Sequence, residues 1–274
     1  MTFGCSFNRC TFCSMYRTKE FTKKSMDLVL AEIDTAAKTR PQTRRVFLAD
    51  GDALVRSTED LLTILKTLYD ALPMLERVTC YALPKNLLEK SVEELTLLKK
   101  NGLMMIYYGI ESGSDDILKR ITKGANPDRM TTGLEKATRA GLLISATIIL
   151  GLGGKSLWKE HIDGTIDLIN RLELDYLSTL QLTLDPSVTD LFVERYERRG
   201  GKFIPQDDTG ILQEQMRLIA GIDTLKPVIF RSNHASNALP LKGILPEDRD
   251  ALLKALCTAQ SGETMLRPEW LRGL

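Results

Sequence analysis

The sequence lacks both an excess of one charge and a long apolar run. Its 37 Lys and Arg residues nearly balance its 36 Asp and Glu residues, for a formal net charge of +1. This balance gives no broad basic field of the kind that phosphate binding requires, which disfavours a general nucleic-acid binder. The apolar run 142–154 is shorter than the roughly 18 residues of a membrane span. We therefore expect neither a transmembrane helix nor a nucleic-acid partner.

Targeting signals and repeats are also missing. Residues 1–9 have neither a basic start followed by an apolar run nor a small-residue cleavage site, so no secretory signal is expected. The chain has no evident internal repeat or low-complexity tract. Its 274 residues, 43% of them hydrophobic, predict one large globular domain, or one with a small appendage, in the cytoplasm.

Cysteines are few but clustered. Cys5, Cys10 and Cys13 fall within nine residues, whereas Cys80 and Cys257 are isolated. An odd total and tight clustering in a chain expected to be cytoplasmic favour a metal or cluster site over a disulfide framework.

Histidines are scarcer still, which limits the kind of site. A structural zinc site usually takes a fourth Cys or His nearby, but His161 and His234 both lie far along the chain. Three thiolates in the spacing C-x4-C-x2-C suit an iron-sulfur cluster with one open iron better. A three-thiolate zinc site or a chance spacing stays open as the alternative.

The hydrophobic pattern predicts strands alternating with helices. Expected strands cover 45–49, 77–82, 103–110, 142–150, 176–182 and 228–230. Expected helices cover 25–38, 58–72, 86–100, 114–120, 128–140, 157–171, 187–199, 209–220 and 246–259. Such alternation indicates parallel strands joined by helical crossovers, in an open sheet or a full or partial barrel.

The segment Gly4–Cys13 resembles the cluster-binding loop of radical S-adenosylmethionine (radical SAM) enzymes, including the aromatic Phe12 before the third cysteine. The resemblance implies a 4Fe-4S cluster held by Cys5, Cys10 and Cys13, with S-adenosylmethionine chelating the fourth iron. It also implies that Phe12 belongs to the cofactor site. One difference is that most of the family has three residues between the first two cysteines, where this chain has four.

Other segments resemble further motifs of that family. Asp50-Gly51-Asp52 stands where the family has Gly-Gly-Glu, which implies that Gly51 and Asp52 hold the amino group of the cofactor. A strand-end turn with solvated acids is the alternative there.

The segment Gly109–Asp116 resembles the Gly-x-Glu-Ser-Gly segment of the branch with coproporphyrinogen-oxidase-like and methylthiotransferase-like enzymes. This implies that Glu111 lies near the ribose hydroxyls and Ser112 near the cofactor. Asp115 and Asp116 are equally explained as acids at a helix N-terminus.

The run 148–154 resembles the family region where adenine lies against the backbone, which implies a role for Gly151. It matches neither a Walker nor a dinucleotide motif. Lys123 stands where related enzymes place a basic residue near the cofactor carboxylate, but we favour a solvated lysine at a helix end.

Candidate substrate residues follow the last predicted strand. Arg231, Asn233, His234 and Asn237 either line the substrate end of a pocket or form a surface turn. His234 and Asn237 are the candidate catalytic residues. We interpret His161, in a helical pattern, as structural or solvated.

The combined prediction is a partial (β/α)6 barrel of the TIM type. Residues 1–200 would form the radical SAM core, and 201–274 a helical extension that packs on it and contributes to the substrate site. Only Met1–Gly4 precede the cysteine loop, so the family's first strand is expected to be truncated.

The predicted function is that of an oxygen-sensitive radical SAM enzyme. Reductive cleavage of S-adenosylmethionine would give a 5′-deoxyadenosyl radical that removes hydrogen from an unidentified substrate, with a flavodoxin or ferredoxin as electron donor. The alternatives are a non-catalytic iron-sulfur or haem-handling protein of the same fold and, less favoured, a zinc-binding structural protein. RNA methylthiolation is a weaker enzymatic option.

Overall fold

Strands and helices alternate along residues 1–273, the part of the chain that the computed structural model describes. The strands are β1 Thr2–Phe3, β2 Thr22–Lys23, β3 Arg45–Leu48, β4 Arg77–Ala82, β5 Leu103–Glu111, β6 Leu143–Leu150, β7 Tyr176–Gln181, β8 Val228–Ser232 and β9 Leu241–Leu245. The α-helices are α1 Met26–Thr39, α2 Thr58–Ala71, α3 Pro84–Glu89, α4 Val92–Lys100, α5 Asp115–Arg120, α6 Pro127–Arg139, α7 Gly154–Ile169, α8 Pro186–Glu197, α9 Asp208–Gly221 and α10 Arg249–Gln260.

The predicted α/β class is confirmed. Strands β3 to β9 belong to a seven-stranded sheet in chain order. The pairs β3–β4, β4–β5, β6–β7 and β7–β8 are parallel, and β9 pairs antiparallel with β8. β1 and β2 form a separate antiparallel pair. Parallel neighbours require the helical crossovers that the sequence pattern predicts.

The chain divides into two compact units, and unit 1 comprises residues 1–8, 15–108 and 132–144. Successive side chains of its strands point to opposite faces of the sheet, and one face carries the buried Leu48, Val78 and Cys80. Helices α1 and α2 contact each other, and both present a buried apolar stripe. The opposite strand face carries an aromatic group in which the rings of Phe47 and Tyr81 are 4.8 Å apart.

Unit 2 comprises residues 9–14, 109–131 and 145–274. Strands β7 and β8 pair with Leu177 opposite Phe230, and both side chains are fully buried. Helix α9 contacts α7 and α10. Phe192 and Tyr196 of α8 pack against Phe203 in a second aromatic core. This unit therefore has its own hydrophobic core.

Helix starts follow the side-chain caps that the sequence offers. Ser25 accepts from the Leu28 N–H and begins α1. The prediction of one helix over 86–100 is wrong, because Ser91 interrupts it. Ser91 and Glu94 form a capping box, each side chain accepting from the other residue's N–H, so a new helix begins there.

Residues 201–274 contain more strand than predicted. Besides α9 and α10 they form β8, which is longer than predicted, and β9, which the sequence analysis missed. The last helix begins at Arg249 rather than at residue 246. β9 alternates between exposed Lys242 and buried Leu245, a half-buried pattern too short to stand out in the sequence. The domain boundary at residue 200 stays a prediction.

Within the described residues, no helix is both long and apolar enough to cross a membrane.

Two glycines allow an unusually close approach in unit 2. A Cβ on Gly113, which follows β5, would lie 2.1 Å from the carbonyl oxygen of Gly164 in α7. A Cβ on Gly164 would lie 3.0 Å from the Gly113 carbonyl carbon. Because backbone atoms cannot move aside as a flexible side chain can, this contact fixes α7 against the end of β5.

We predict that Gly113→Ala lowers the free energy of unfolding by about 3 kcal/mol, because the added methyl group overpacks this contact. Chemical denaturation of the anaerobically purified protein measures the loss. Gly273→Ala is the matched control, since a Cβ there meets nothing within 4 Å. Equal unfolding midpoints for the two variants would show that the contact is not restrictive.

Candidate functional site

The three clustered cysteines are half-buried, and none of them is in a disulfide. Cys5 belongs to unit 1, and Cys10 and Cys13 belong to unit 2. The Cys13 N–H donates to the Cys10 carbonyl at 3.2 Å, which closes a tight turn. Thr11, between them, donates its N–H to the Ile121 carbonyl at the end of α5, at 3.0 Å. The Cys10–Cys13 turn is thus attached to a helix of its own unit.

This donor set fits an iron-sulfur cluster, whose irons are held by cysteine thiolates. No group of three or more His, Cys, Asp or Glu side chains among residues 1–273 is arranged to hold a single metal ion. A cluster takes one cysteine per iron, and its ligating sulfurs stand farther apart than those around one ion. The three half-buried thiols are therefore the type of ligand that such a cluster takes.

Gly51 lies directly against the first cysteine in unit 1. A Cβ at this position would be 2.9 Å from Cys5 Cβ and 2.7 Å from the ring of Tyr16. The Gly51 N–H donates to the Gly4 carbonyl at 3.2 Å, and the Gly4 N–H donates to Asp50 Oδ2 at 3.2 Å. The segment after β3 is therefore bonded to the start of the cysteine loop, and any residue larger than glycine at position 51 would push them apart.

Asp52 is fully buried, so the alternative of a solvated acid is wrong for this residue. Its Oδ2 accepts from the Ser6 hydroxyl, whereas Oδ1 makes no hydrogen bond within the described residues. Burial raises the pKa of Asp52, against the opposing effects of the Ser6 and Asn86 side chains. A buried carboxylate oxygen with an open acceptor position is costly unless a donor fills it.

Glu111 ends β5 with an unusual backbone conformation, a φ of +64°. Its Oε1 is 2.9 Å from Lys123 Nζ, and both side chains are largely buried. The prediction of a solvated lysine at position 123 is therefore wrong. Gly109 permits this arrangement, since a Cβ there would lie 2.1 Å from Glu111 Oε1.

Ser112 and His161 form a buried pair in unit 2. His161 Nδ1 is 2.8 Å from Ser112 Oγ, and His161 Nε2 is 3.0 Å from the Ile149 carbonyl oxygen. Burial lowers the pKa of His161 to about 4, so the ring is neutral at neutral pH. The alternative of a solvated histidine is therefore wrong, and a structural role for His161 stays a prediction.

Gly151 ends β6 in the left-handed region, with a φ of +87°. Its N–H donates to Glu214 Oε2 at 2.7 Å, and Glu214 Oε1 accepts from Gln206 at 3.2 Å. Glu214 is fully buried on α9, and burial raises its pKa to about 7. A protonatable carboxyl thus holds the turn that follows β6.

The candidates after β8 differ in exposure. Asn237 is buried, and its amide bonds the Gln181 N–H, the Thr179 carbonyl and the Ser232 hydroxyl. His234 is exposed, and its Nδ1 contacts Ser236. Asn233 is exposed and Arg231 is half-buried. Their role at a substrate site stays a prediction.

Sequence reasoning missed Glu214, although a signal was present. In the predicted helix 209–220, Glu214 stands among Ile211, Leu218 and Ile219 on the stripe that becomes buried. An acid on the apolar stripe of a helix indicates a paired or protonated carboxyl. Ser6 and Asn86, beside Asp52, carried no comparable signal because their partners are distant in sequence.

We predict that Glu214 makes stability depend on pH. Its folded pKa of about 7 exceeds its usual value of 4.5, so its contribution is full below pH 4.5 and is lost as pH rises through 7. Glu214→Gln, which stays neutral, should become more stable relative to wild type by roughly 3 kcal/mol between about pH 5 and pH 8. Denaturant titrations across this range measure it, with exposed Glu173→Gln as control. A pH-independent difference would contradict the assignment.

Comparison with known proteins shows which family this chain resembles. The sequence profile of the Radical SAM superfamily matches residues 1–169. The chain is 26% identical over 156 residues to the heme chaperone HemW of Bacillus subtilis, covering 56% of this chain and 41% of that protein. It is 26% identical over 197 residues to a putative methylthiotransferase of Methanocaldococcus jannaschii, covering 69% and 39%. The chain thus spans less than half the length of these relatives.

Solved structures show the same fold. Coproporphyrinogen III oxidase (HemN) from Escherichia coli, a radical SAM enzyme, superposes with a TM-score of 0.60 at 15% identity, covering 79% of this chain and 50% of that chain. The methyltransferase TsrM from Kitasatospora setae, with tryptophan and a SAM analog bound, also gives 0.60 at 16% identity, covering 81% and 51%. The predicted partial-barrel class is confirmed, and a 4Fe-4S cluster and S-adenosylmethionine are the family's cofactors. With 169 of its 274 residues matched by the family profile, this chain belongs to the radical SAM superfamily.

Proposed function

We propose that this protein is a radical SAM enzyme whose cluster is held by Cys5, Cys10 and Cys13. The observation that carries the proposal is the clustering of three half-buried cysteines, none of them in a disulfide, within the segment that the family profile matches. A cytoplasmic location, an unidentified small-molecule substrate, and a flavodoxin or ferredoxin as donor complete the proposal.

The cysteine loop would ligate three of the four irons. The Cys10–Cys13 turn keeps two thiols on one short backbone segment, and its attachment to Ile121 limits how far that segment can move. Gly51 leaves room for Cys5. When bound, the cluster and S-adenosylmethionine supply a one-electron reductive cleavage that gives methionine and a 5′-deoxyadenosyl radical able to remove hydrogen from a substrate.

Asp52 would bind the amino group of the cofactor. Its buried Oδ1 lacks a donor among the described residues, and an ammonium group supplies one. Ser6 holds the other oxygen, so the carboxylate is oriented before any ligand arrives. Preorganisation of this kind reduces the entropy that binding must otherwise overcome.

Glu111 would accept from the ribose hydroxyls. Lys123 Nζ pairs with Glu111 and fixes Oε1, and a carboxylate has acceptor positions beyond one ion pair. The Gly151 turn, held by Glu214, would lie along the adenine. Ser112 is fully buried and bonded within unit 2, so we assign it to holding the strand end.

A non-catalytic haem-handling role is the second candidate, because one relative is a heme chaperone. The putative methylthiotransferase among the relatives favours a modifying enzyme instead. The two candidates share the cluster and differ in whether the cofactor is cleaved, so product analysis separates them.

We predict that the anaerobically reconstituted protein, reduced with dithionite, releases 5′-deoxyadenosine from S-adenosylmethionine. The triple variant Cys5→Ala, Cys10→Ala, Cys13→Ala should release none, because it lacks all three thiolates. Cys257→Ala is the matched control, since this cysteine is exposed and isolated from the loop, and it should retain release. Chromatography of the quenched reaction measures the product.

Equal release by the triple variant and the wild type would contradict the proposal. A wild type that binds a 4Fe-4S cluster but releases no 5′-deoxyadenosine would favour the haem-handling candidate. A colourless protein that binds zinc would favour the structural alternative.

A further inference from the structure

We propose that His161 is a positioning residue that locks the carboxyl ends of β5 and β6 in the geometry that the cofactor requires; this rests on the proposed function. The residue is fully buried in α7. Its two ring nitrogens reach two different strand ends of unit 2, at Ser112 and Ile149.

The direction of each hydrogen bond follows from the partners. The Ile149 carbonyl can only accept, so His161 Nε2 carries the proton and donates to it across 3.0 Å. In the neutral ring Nδ1 is then bare and accepts from the Ser112 hydroxyl at 2.8 Å. The Ser112 oxygen in turn accepts from the Ser114 N–H at 3.1 Å. Every polar atom of this buried relay has a partner.

A second attachment from the same helix supports the first. Thr165, one turn beyond His161, accepts from the Gly113 N–H at 2.9 Å and donates to the His161 carbonyl at 2.6 Å. Gly113 and Gly164 also approach closely, so the backbone after β5 has little room to move relative to α7. Residues 112–114 are therefore held to α7 by side-chain bonds and by backbone contact.

The attachment has a consequence for the neighbouring Glu111. Its φ of +64° is unfavourable for a residue with a side chain, so surrounding contacts must impose it. Ser112 is the next residue, and His161 fixes its side chain. Without this bond Glu111 can relax toward extended backbone, which would move its carboxylate away from the position set by Gly109 and Lys123.

The test uses two substitutions that each keep one of the two bonds. In His161→Asn the amide oxygen takes the place of Nδ1 and can accept from Ser112, while the bond to Ile149 is lost. In His161→Gln the amide nitrogen takes the place of Nε2 and can donate to Ile149, while the acceptor for Ser112 is lost. Ile162→Val is the control, because Ile162 is a buried apolar neighbour on α7 with no polar role.

Two readouts are measured on the reconstituted protein: the affinity for S-adenosylmethionine by calorimetry, and amide hydrogen exchange in peptides covering 109–114. We expect His161→Gln to weaken binding about tenfold and to speed exchange, because a buried donor loses its acceptor. His161→Asn should stay within about threefold of wild type. Ile162→Val should change only the melting temperature.

Equal affinity and equal exchange in the Asn, Gln and Val variants, compared at matched stability, would overturn the inference. If His161→Gln fails to fold, Ser112→Ala removes the same bond from the other side and must speed exchange at 113–114. Failure of the wild type to bind S-adenosylmethionine would overturn the proposed function instead, while the exchange measurement would still decide the role of His161.

Discussion

Buried side chains of two helices fasten the ends of two strands in unit 2, and the candidate site depends on these bonds. His161 of α7 bonds Ser112 and Ile149, and Glu214 of α9 bonds the Gly151 N–H. Ser112 and Gly151 lie just beyond the ends of β5 and β6, so their polar groups need partners from outside these strands. Here the helices supply them from within the core, where a hydrogen bond is expensive to break. The turns are therefore held by the fold itself before any ligand binds.

In unit 1, close backbone contact holds the segment after β3 against the start of the cysteine loop. Gly51 lets the segment after β3 touch Cys5, and two hydrogen bonds join that segment to Gly4, one from the Gly51 N–H to the Gly4 carbonyl and one from the Gly4 N–H to the Asp50 carboxylate. Asp52 is buried with one oxygen held and the other open. An arrangement of this kind raises the free energy of the unliganded protein, and a cationic ligand lowers it again. In the proposed function, this cost favours binding of a group that donates a hydrogen bond to Asp52.

Local sequence signals predicted much of the fold, and they single out Cys5, Cys10 and Cys13 as the candidate cluster ligands. The strand at 77–82 and the helix starts at Ser25 and Thr58 follow from hydrophobic alternation and serine caps. Ser91 also carried a cap signal, as it is followed three residues later by Glu94, yet the apolar period across 86–100 hid the break. Strands β1 and β2 have two residues each, too few to show an alternation of apolar and polar side chains.

The partners of buried polar residues could not be read from the sequence. Lys123 looks like a solvated helix end, because nothing local shows that Glu111 turns back toward it over Gly109. His161 and Glu214 lie on ordinary helical patterns, and their partners are 49 and 63 residues away. Such pairs depend on which helix packs on which strand end, and this is a property of the tertiary fold.

We propose above all that the cysteine loop carries a 4Fe-4S cluster whose open iron binds S-adenosylmethionine. Low-temperature electron paramagnetic resonance of the dithionite-reduced protein, with and without S-adenosylmethionine, tests it most directly. We predict the signal of a reduced 4Fe-4S cluster whose g values shift when S-adenosylmethionine is added. Absence of a cluster signal after reconstitution, or a spectrum that S-adenosylmethionine leaves unchanged, would contradict the account.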